Sequence, residues 1–370
     1  MKANLRPIVI GAFPPPVHGM SSVNQYVYDQ LAQKCSPIKV NVNAPLHPVM
    51  KIDFLKKLSK LLWIPFLIVH CCYLRCTQKN RVLYLGMSGG VGVYFEALIL
   101  LVLTNKKTVI YVHHHSFQYL NQKKCYMDFM VRVLQGKKAT HITLCETMGR
   151  KLNQLYSETT DKTIVISNAA FIPPVTNLAV SNSRTEQNVG FLSNVCFEKG
   201  ILEFCEIAKK ISKIDTTIRF IVAGPAMDTK TEWYLNQQTE SLANFEWIGP
   251  VYGGDKATFL QKLDVLVFPS KYKNEAEPLT LHECHSVGVP VISTAIGCTP
   301  SMITDDENGL TVRQNNDFVQ RATDSIQFLL NATKSTQIKR SAQIIKKYTE
   351  THIKAKAQFD DLILKIIREG

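Results

Sequence analysis

Two glutamates, Glu275 and Glu283, stand with seven residues between them in NEAEPLTLHECHSVGVPVIST, residues 274–294. The first follows an apolar run, DVLVFPS, across the loop KYKNEAE; the second falls on the second turn of a helix expected from Pro278 to Gly288. An ionised carboxylate only accepts hydrogen bonds, so the pair suits hydroxyl groups, and a ribose or hexose presents vicinal hydroxyls. The helix start between them, at Leu279 and Thr280, offers unpaired backbone N–H groups and the positive end of the helix dipole, a site for phosphate. A phosphate site flanked by two hydroxyl-binding carboxylates is what a nucleotide sugar requires. The same spacing also fits two solvated glutamates on a loop and a helix.

Carboxylates at the end of a strand need a sheet to aim them. Short β-rich runs alternate with helical stretches along all 370 residues: PIVIGAF, IKVNVN, RVLYLGMS, KTVIYVHHH, HITLCE and TIVISN, then NVGFLSN, IRFIVAGP, FEWIGPV, VLVFPS and PVISTA. The alternation predicts an α/β fold of parallel sheets covered by helices on both faces, and two such sets predict two Rossmann-like domains. These are expected over residues 1–170 and 188–352, with a linker over 171–187 in the Pro-, Asn-, Ser- and Thr-rich stretch AAFIPPVTNLAVSNSRTEQ. Helices are expected near 315–331 and 335–349, and a last one over 353–370, with no strand to follow, is expected to pack back on the first domain. Open parallel sheets bind ligands beyond the carboxyl ends of their strands, so two sheets facing across an inter-domain cleft place the site in that cleft.

The glutamate stretch, with GVPVISTAIGCTPSMI and then ENGLTV after it, resembles the E-x7-E region of retaining glycosyltransferases of family 4, the glycosyl transferases group 1 type. Strand, glutamate pair, GVPVIST strand and NGL turn come in that family's order. The resemblance implies the two-domain GT-B architecture, with Glu275 on the transferred sugar, Glu283 on the ribose, and Leu279 and Thr280 at the donor. VGFLSNVCFEKG resembles the family's strand and loop whose arginine and lysine hold the donor diphosphate: Lys199 fits the lysine, and Asn194 stands at the arginine position with one positive charge fewer. Without its neighbours, Lys199 also reads as a surface lysine opening a helix. GAFPPPVHGMSSVN resembles the family's first glycine-bearing loop, where Gly19 lets backbone approach the diphosphate ahead of a helix capped by Ser21 or Ser22. GPVYGG resembles its base-contacting loop near Val251. Matching elements span nearly the whole chain, most specifically residues 189–312.

VIYVHHHSF ends a strand on three histidines, and alternation sets His113 and His115 on one face and His114 on the other. No carboxylate or thiol stands near them to complete a metal site, and the resemblance implies no metal and no other cofactor. It implies instead that His115 faces the transferred sugar; a purely structural histidine fits the residues as well. Residues 88–92, SGGVG, hold glycines without a phosphate-loop lysine, so they are read as an acceptor-side loop rather than a P-loop. The reaction implied is sugar transfer with retention, by front-face attack, to a polyprenyl-diphosphate-linked or oligosaccharide acceptor of bacterial cell-surface polysaccharide assembly.

The net charge of +13 is uneven: residues 1–170 hold 21 Lys+Arg against 7 Asp+Glu, and residues 171–370 hold 22 against 23. A basic half attracts a nucleic acid, an acidic membrane surface or a phosphorylated substrate. In KIDFLKKLSKLLWIPFLIVHCCYLRCTQKNR the apolar run over 61–74 contains Pro65, and it is shorter than the roughly 20 residues a spanning helix needs. Lys56, Lys57 and Lys60 ahead of Trp63 fit a helix lying on an anionic membrane, and equally a buried helix with a solvated lysine face. The charge split favours the membrane, hence a cytoplasmic protein held peripherally on the inner face of the plasma membrane. The ten cysteines lack a second pair at zinc spacing and are read as reduced thiols, and the apolar run before Pro14 is too short for a secretory signal. Three rivals stay open. An RNA-binding protein would use the basic half, but no RNP-like aromatic strand or arginine-rich motif appears, so no nucleic-acid partner is expected. An inverting transferase would keep the fold, and Asn194 permits a retired transferase serving as an assembly partner.

Overall fold

A computed structural model describes residues 6–43, 53–78, 81–156, 162–175, 186–313 and 317–369, with backbone alone over 53–61. The chain divides into two units, Met1–Phe171 with Ala355–Gly370, and Ile172–Lys354.

In the first unit the strands are β1 (Ile8–Gly11), β2 (Ile38–Asn41), β3 (Val82–Met87), β4 (Val109–His114), β5 (Lys138–Thr143) and β6 (Thr163–Val165). Its helices are α1 (Gly19–Ala32), α2 (Asp53–Thr77), α3 (Gly92–Leu103), α4 (Gln118–Asn121), α5 (Cys125–Leu134) and α6 (Glu146–Leu155). All described strands pair in parallel, in the order β2-β1-β3-β4-β5-β6. The order reverses between β1 and β3, so right-handed crossovers put α1 on one face of the sheet and α2 and α3 on the other. Asn24 of α1 seats the helix against that reversal. A Cβ on Gly86 of β3 would lie 1.8 Å from Asn24 Oδ1, and one on Gly11 of β1 2.5 Å from Asn24 Nδ2, which donates to the Ala12 carbonyl at 3.0 Å.

In the second unit the strands are β7 (Gln187–Leu192), β8 (Ile218–Ala223), β9 (Phe245–Trp247), β10 (Val265–Phe268), β11 (Val291–Thr294) and β12 (Gly309–Val312). The helices are α7 (Ile201–Ser212), α8 (Thr229–Ser241), α9 (Gly253–Gln261), α10 (Leu279–Ser286), α11 (Thr299–Met302), α12 (Phe318–Leu330) and α13 (Lys334–Glu369). The order is β12-β11-β10-β7-β8-β9, again all parallel, with the reversal between β7 and β10. Both faces are covered: along β10, Val265 and Val267 join one apolar cluster while Leu266 and Phe268 join the other. Each such side chain contributes about 1.5–3 kcal/mol by leaving water, which explains why these strands are almost wholly apolar.

The two Rossmann-like α/β sheets are as the alternation predicted, with three differences. The segment GLTV, read as part of a turn, is the edge strand β12, paired to β11 from Gly309 to Val312. The helices expected near 335–349 and 353–370 are one 36-residue helix, α13, because no Gly or Pro interrupts residues 334–369. Its last part belongs to the first unit, where Tyr111 Oη donates to Glu369 at 2.6 Å. Free thiols are found at eight cysteines, Cys145 and Cys298 being the exceptions. Residues 176–185, within the expected linker, lie outside the described residues.

Candidate active site

The strand reversal in each sheet opens a crevice at the carboxyl ends of the two diverging strands, where open α/β sheets take ligands. In the second unit the loops leaving that crevice follow β7 and β10, and they carry Lys199 and Glu275. Lys199 ends a 3-10 turn, Phe197–Lys199, stopped by Gly200 at φ +85°. A Cβ on Gly200 would lie 2.1 Å from the Pro269 carbonyl oxygen, so the glycine lets the turn press against the end of β10, and the Lys271 N–H donates to the Glu198 carbonyl at 2.8 Å. The ammonium of Lys199 thereby reaches Glu275 Oε2 at 2.5 Å, and Ser270 Oγ donates to the same oxygen at 3.1 Å.

The Glu275 loop is held from the far side as well. Thr294 Oγ1 donates to the Ser270 carbonyl at 2.5 Å, and the Cys298 N–H donates to the Ala276 carbonyl at 2.8 Å. Gly297, at φ +58°, permits this approach: a Cβ there would lie 2.4 Å from the Ala276 carbonyl oxygen and 2.6 Å from that of Glu275. Gly297→Ala is expected to cost at least about 1–2 kcal/mol for the left-handed backbone alone, with the Glu275 loop displaced besides. Urea denaturation checks it, and an unchanged midpoint would show that this contact does not hold the loop.

Glu283 lies on the second turn of α10, as expected, and its Oε1 is 2.5 Å from the Lys256 ammonium on α9. Pro278 is the N-cap, one position before the first helical residue, so Leu279 and Thr280 are the first two helical residues. Within this unit each predicted glutamate is therefore matched to one lysine. Asn194, at the carboxyl end of β7, is exposed and uncharged, and Val251 packs beside an apolar cluster containing Leu260 and Leu281.

In the first unit, α1 starts at Gly19 after β1. The predicted Ser21 or Ser22 cap is replaced by His18, whose Nδ1 accepts from the Ser21 N–H at 3.3 Å while its own N–H donates to Ser21 Oγ at 2.9 Å. Serine outranks histidine as a cap in general preference, and that ranking misdirected the reading. His115 sits just beyond β4, its ring centroid 4.2 Å from that of His113, so the predicted shared face holds. Burial, helped by the nearby His18, pushes His115 down to about 3, and its Nε2 is inaccessible and without a protein partner. A neutral imidazole can donate or accept, but does not bring a fixed cation to a sugar. His113 and His114 are committed elsewhere: Tyr84 Oη lies 2.5 Å from His113 Nδ1, and His114 bridges Tyr119 and His141 at 2.9 and 2.8 Å. Among the described residues no group of three His, Cys, Asp or Glu is placed to hold a metal.

Trp63 spends its indole N–H on the Asn41 carbonyl at 3.3 Å and stacks on Phe66. The side chains of Lys56, Lys57 and Lys60 lie outside the described residues. Two partners escaped sequence reasoning, Lys256 and Ser270. Lys256 is 27 positions from Glu283 and carries no motif, whereas Ser270, the last residue of DVLVFPS, could have been found as the hydroxyl at the end of the strand that leads to Glu275.

Comparison with known proteins points the same way. Residues 177–350 match the family described as Glycosyl transferases group 1. A D-rhamnosyltransferase, WbpZ of Pseudomonas aeruginosa, is 34% identical over 99 residues, 26% of this chain and 25% of that protein. The chain thus matches about a quarter of the length of this curated relative. Among solved structures, sucrose-phosphate synthase from Thermosynechococcus elongatus superposes with a TM-score of 0.71 at 14% identity, covering 99% of this chain and 100% of that one. HepE of Anabaena in complex with UDP superposes with a TM-score of 0.67 at 12% identity, covering 98% and 100%. At such identities the likeness is one of fold, and the fold is GT-B.

Proposed function

We propose that this chain, whose residues 177–350 match the glycosyl transferases group 1 family, is a retaining glycosyltransferase that moves a sugar from a nucleotide diphosphate donor to a lipid-linked or oligosaccharide acceptor. The observation that carries the reading is the pairing of Lys199 with Glu275 at the strand reversal of the second sheet. Transfer breaks the bond between the sugar's anomeric carbon and the diphosphate, so charge develops on the leaving phosphate. Lys199 and the backbone N–H groups of Leu279 and Thr280 neutralise that charge, with Gly19 giving close backbone approach. Freed from Lys199, the Glu275 carboxylate accepts from the sugar's hydroxyls and Glu283 accepts from the ribose. His115, neutral at working pH, positions the sugar by hydrogen bonding. Val251 lines the base. The acceptor hydroxyl attacks from the face the leaving group vacates, which preserves configuration, and its proton passes to the departing phosphate oxygen on that face. The chain works without a metal or other cofactor, in cell-surface polysaccharide assembly, peripheral on the inner face of the plasma membrane.

The relatives support the donor class: the HepE structure was solved with UDP, and WbpZ is named for rhamnosyl transfer. Asn194, uncharged and exposed where the family carries arginine, favours one second reading, a retired transferase acting as an assembly partner. Thermal unfolding against a panel of UDP-, GDP- and ADP-sugars decides between them. One donor is expected to raise the melting temperature in proportion to its concentration, and Glu283→Ala to weaken the shift, since a ligand that binds only the folded state stabilises it. No shift with any donor in a folded sample would favour the retired scaffold.

A further inference from the structure

Helix α2 has two apolar stripes. Leu67, Cys71 and Leu74 are buried toward the sheet, while Leu62, Phe66, Val69 and Tyr73, at helical spacing, are each between 59% and 69% exposed. Its neighbour α3 repeats the pattern, with Val93, Ala97 and Leu100 buried and Phe95, Leu98 and Leu101 exposed. Both helices cover the same face of the first sheet, so their outward sides lie next to each other and form one apolar surface. An apolar surface of this extent, on adjacent helices, marks a docking site.

Its charge surroundings select the occupant. Residues 51–138 hold 14 Lys+Arg against 3 Asp+Glu, and one of the three acids, Glu96, is buried. Exposed cations flank the apolar face at Arg75, at Lys106 and Lys107 beyond α3, and at Arg132 on α5. A second copy of the chain docking by this face would set these cations against their own images, a like-charge contact. An anionic bilayer instead takes apolar side chains into its acyl boundary and cations among its head groups. Among the described residues no helix is long and apolar enough to cross a membrane, so the contact lies on the surface.

We propose that the outward faces of α2 and α3 together are the surface by which this chain sits on an anionic membrane, Phe66 and Leu98 entering the acyl boundary. This deepens the proposed reading of a lipid-linked acceptor, which supplies its purpose, but the docking itself depends only on this surface.

Flotation with phosphatidylcholine vesicles, with and without phosphatidylglycerol, tests it on the full chain, alongside Phe66→Glu/Leu98→Glu, the milder Phe66→Ser/Leu98→Ser, and Trp233→Glu, an exposed apolar control in the second unit. The native chain and the control are expected to float with anionic vesicles only, less so at high salt. The glutamate pair is expected to lower partitioning by about tenfold or more, and the serine pair by less, since each buried apolar side chain lost weakens binding. Equal flotation of native and glutamate-pair chains, no flotation of the native chain, binding to RNA in preference to vesicles, or a native dimer that the pair converts to monomer would each overturn the proposal. The donor-induced thermal shift is read on the same variants: its persistence when flotation is lost separates this surface from the donor site, and its absence throughout strikes the transferase reading alone.

Discussion

Lys199→Met is expected to lower kcat by about 10²–10³-fold with a smaller change in KM, because the ammonium acts on charge that appears only as the diphosphate leaves. Glu275→Gln should lower it by a similar factor, for a different reason. The amide keeps the shape and an acceptor oxygen but loses the negative charge that binds the sugar's hydroxyls strongly and pairs with the Lys199 ammonium at 2.5 Å. Since each residue orients the other, the double variant should be little worse than the poorer single one, as for groups that act as a unit. Melting temperatures of all three separate lost chemistry from lost structure, the pair being only 18% and 11% exposed at its side chains. A kcat within about threefold of native for Lys199→Met, with the fold intact, would remove Lys199 from the reaction.

That the two residues meet was legible in the sequence only in part. Strand alternation gave both sheets, and the end of DVLVFPS located Glu275 at the mouth of one. The meeting itself depends on Gly200 and Gly297, whose left-handed φ values and close backbone approaches become visible only in three dimensions. Strand β12 was hidden because its four residues follow a turn signal, and the glycine that looks like part of that turn, Gly309, is the first residue of the strand, set against the Val291 carbonyl where a Cβ would lie 1.9 Å away. The His18 cap was hidden because propensity ranks serine first, and a local capping exchange with Ser21 reverses the order. Lys256 was hidden because ion pairs between helices far apart in sequence leave no periodic trace. The exposed stripe on α2 was half-visible: its lysines and aromatic residues suggested a surface helix, but the matching stripe on α3 reads in sequence as a buried helix, since α3 is apolar almost all round.

Acidification below about pH 6.5 is expected to destabilise the first unit steeply, and the second far less. His113 and His114 are held well below their ordinary value by burial first and by neighbouring histidines second; burial holds His141 at about 4, and burial with His18 holds His115 at about 3. In the second unit only His285, at about 3, is shifted in this way. Unfolding releases each histidine to protonate near its ordinary value, so the unfolded chain binds more protons and stability falls as pH falls from there toward the folded values. Each contributes about 1.4 kcal/mol per pH unit across that window. Glu96 opposes them. Burial raises it to about 8 although the Ser88 N–H donates to its carboxyl, so the folded chain holds a proton that the unfolded chain loses, and stability rises as pH falls from about 8 toward 4.5. These four histidines, with His18 also lowered by burial, outweigh the one carboxyl and leave a net loss of at least about 3–4 kcal/mol per pH unit near pH 5.5. Two substitutions move that slope in opposite directions, which no general weakening of the fold would do. His141→Gln, which keeps a hydrogen-bonding group beside His114, should make the slope shallower by about one proton, and Glu96→Gln should make it steeper by about one. Urea titrations of both variants at several pH values between about 5 and 7 measure the slopes directly, and parallel slopes in all three chains would show that these buried groups do not govern acid unfolding.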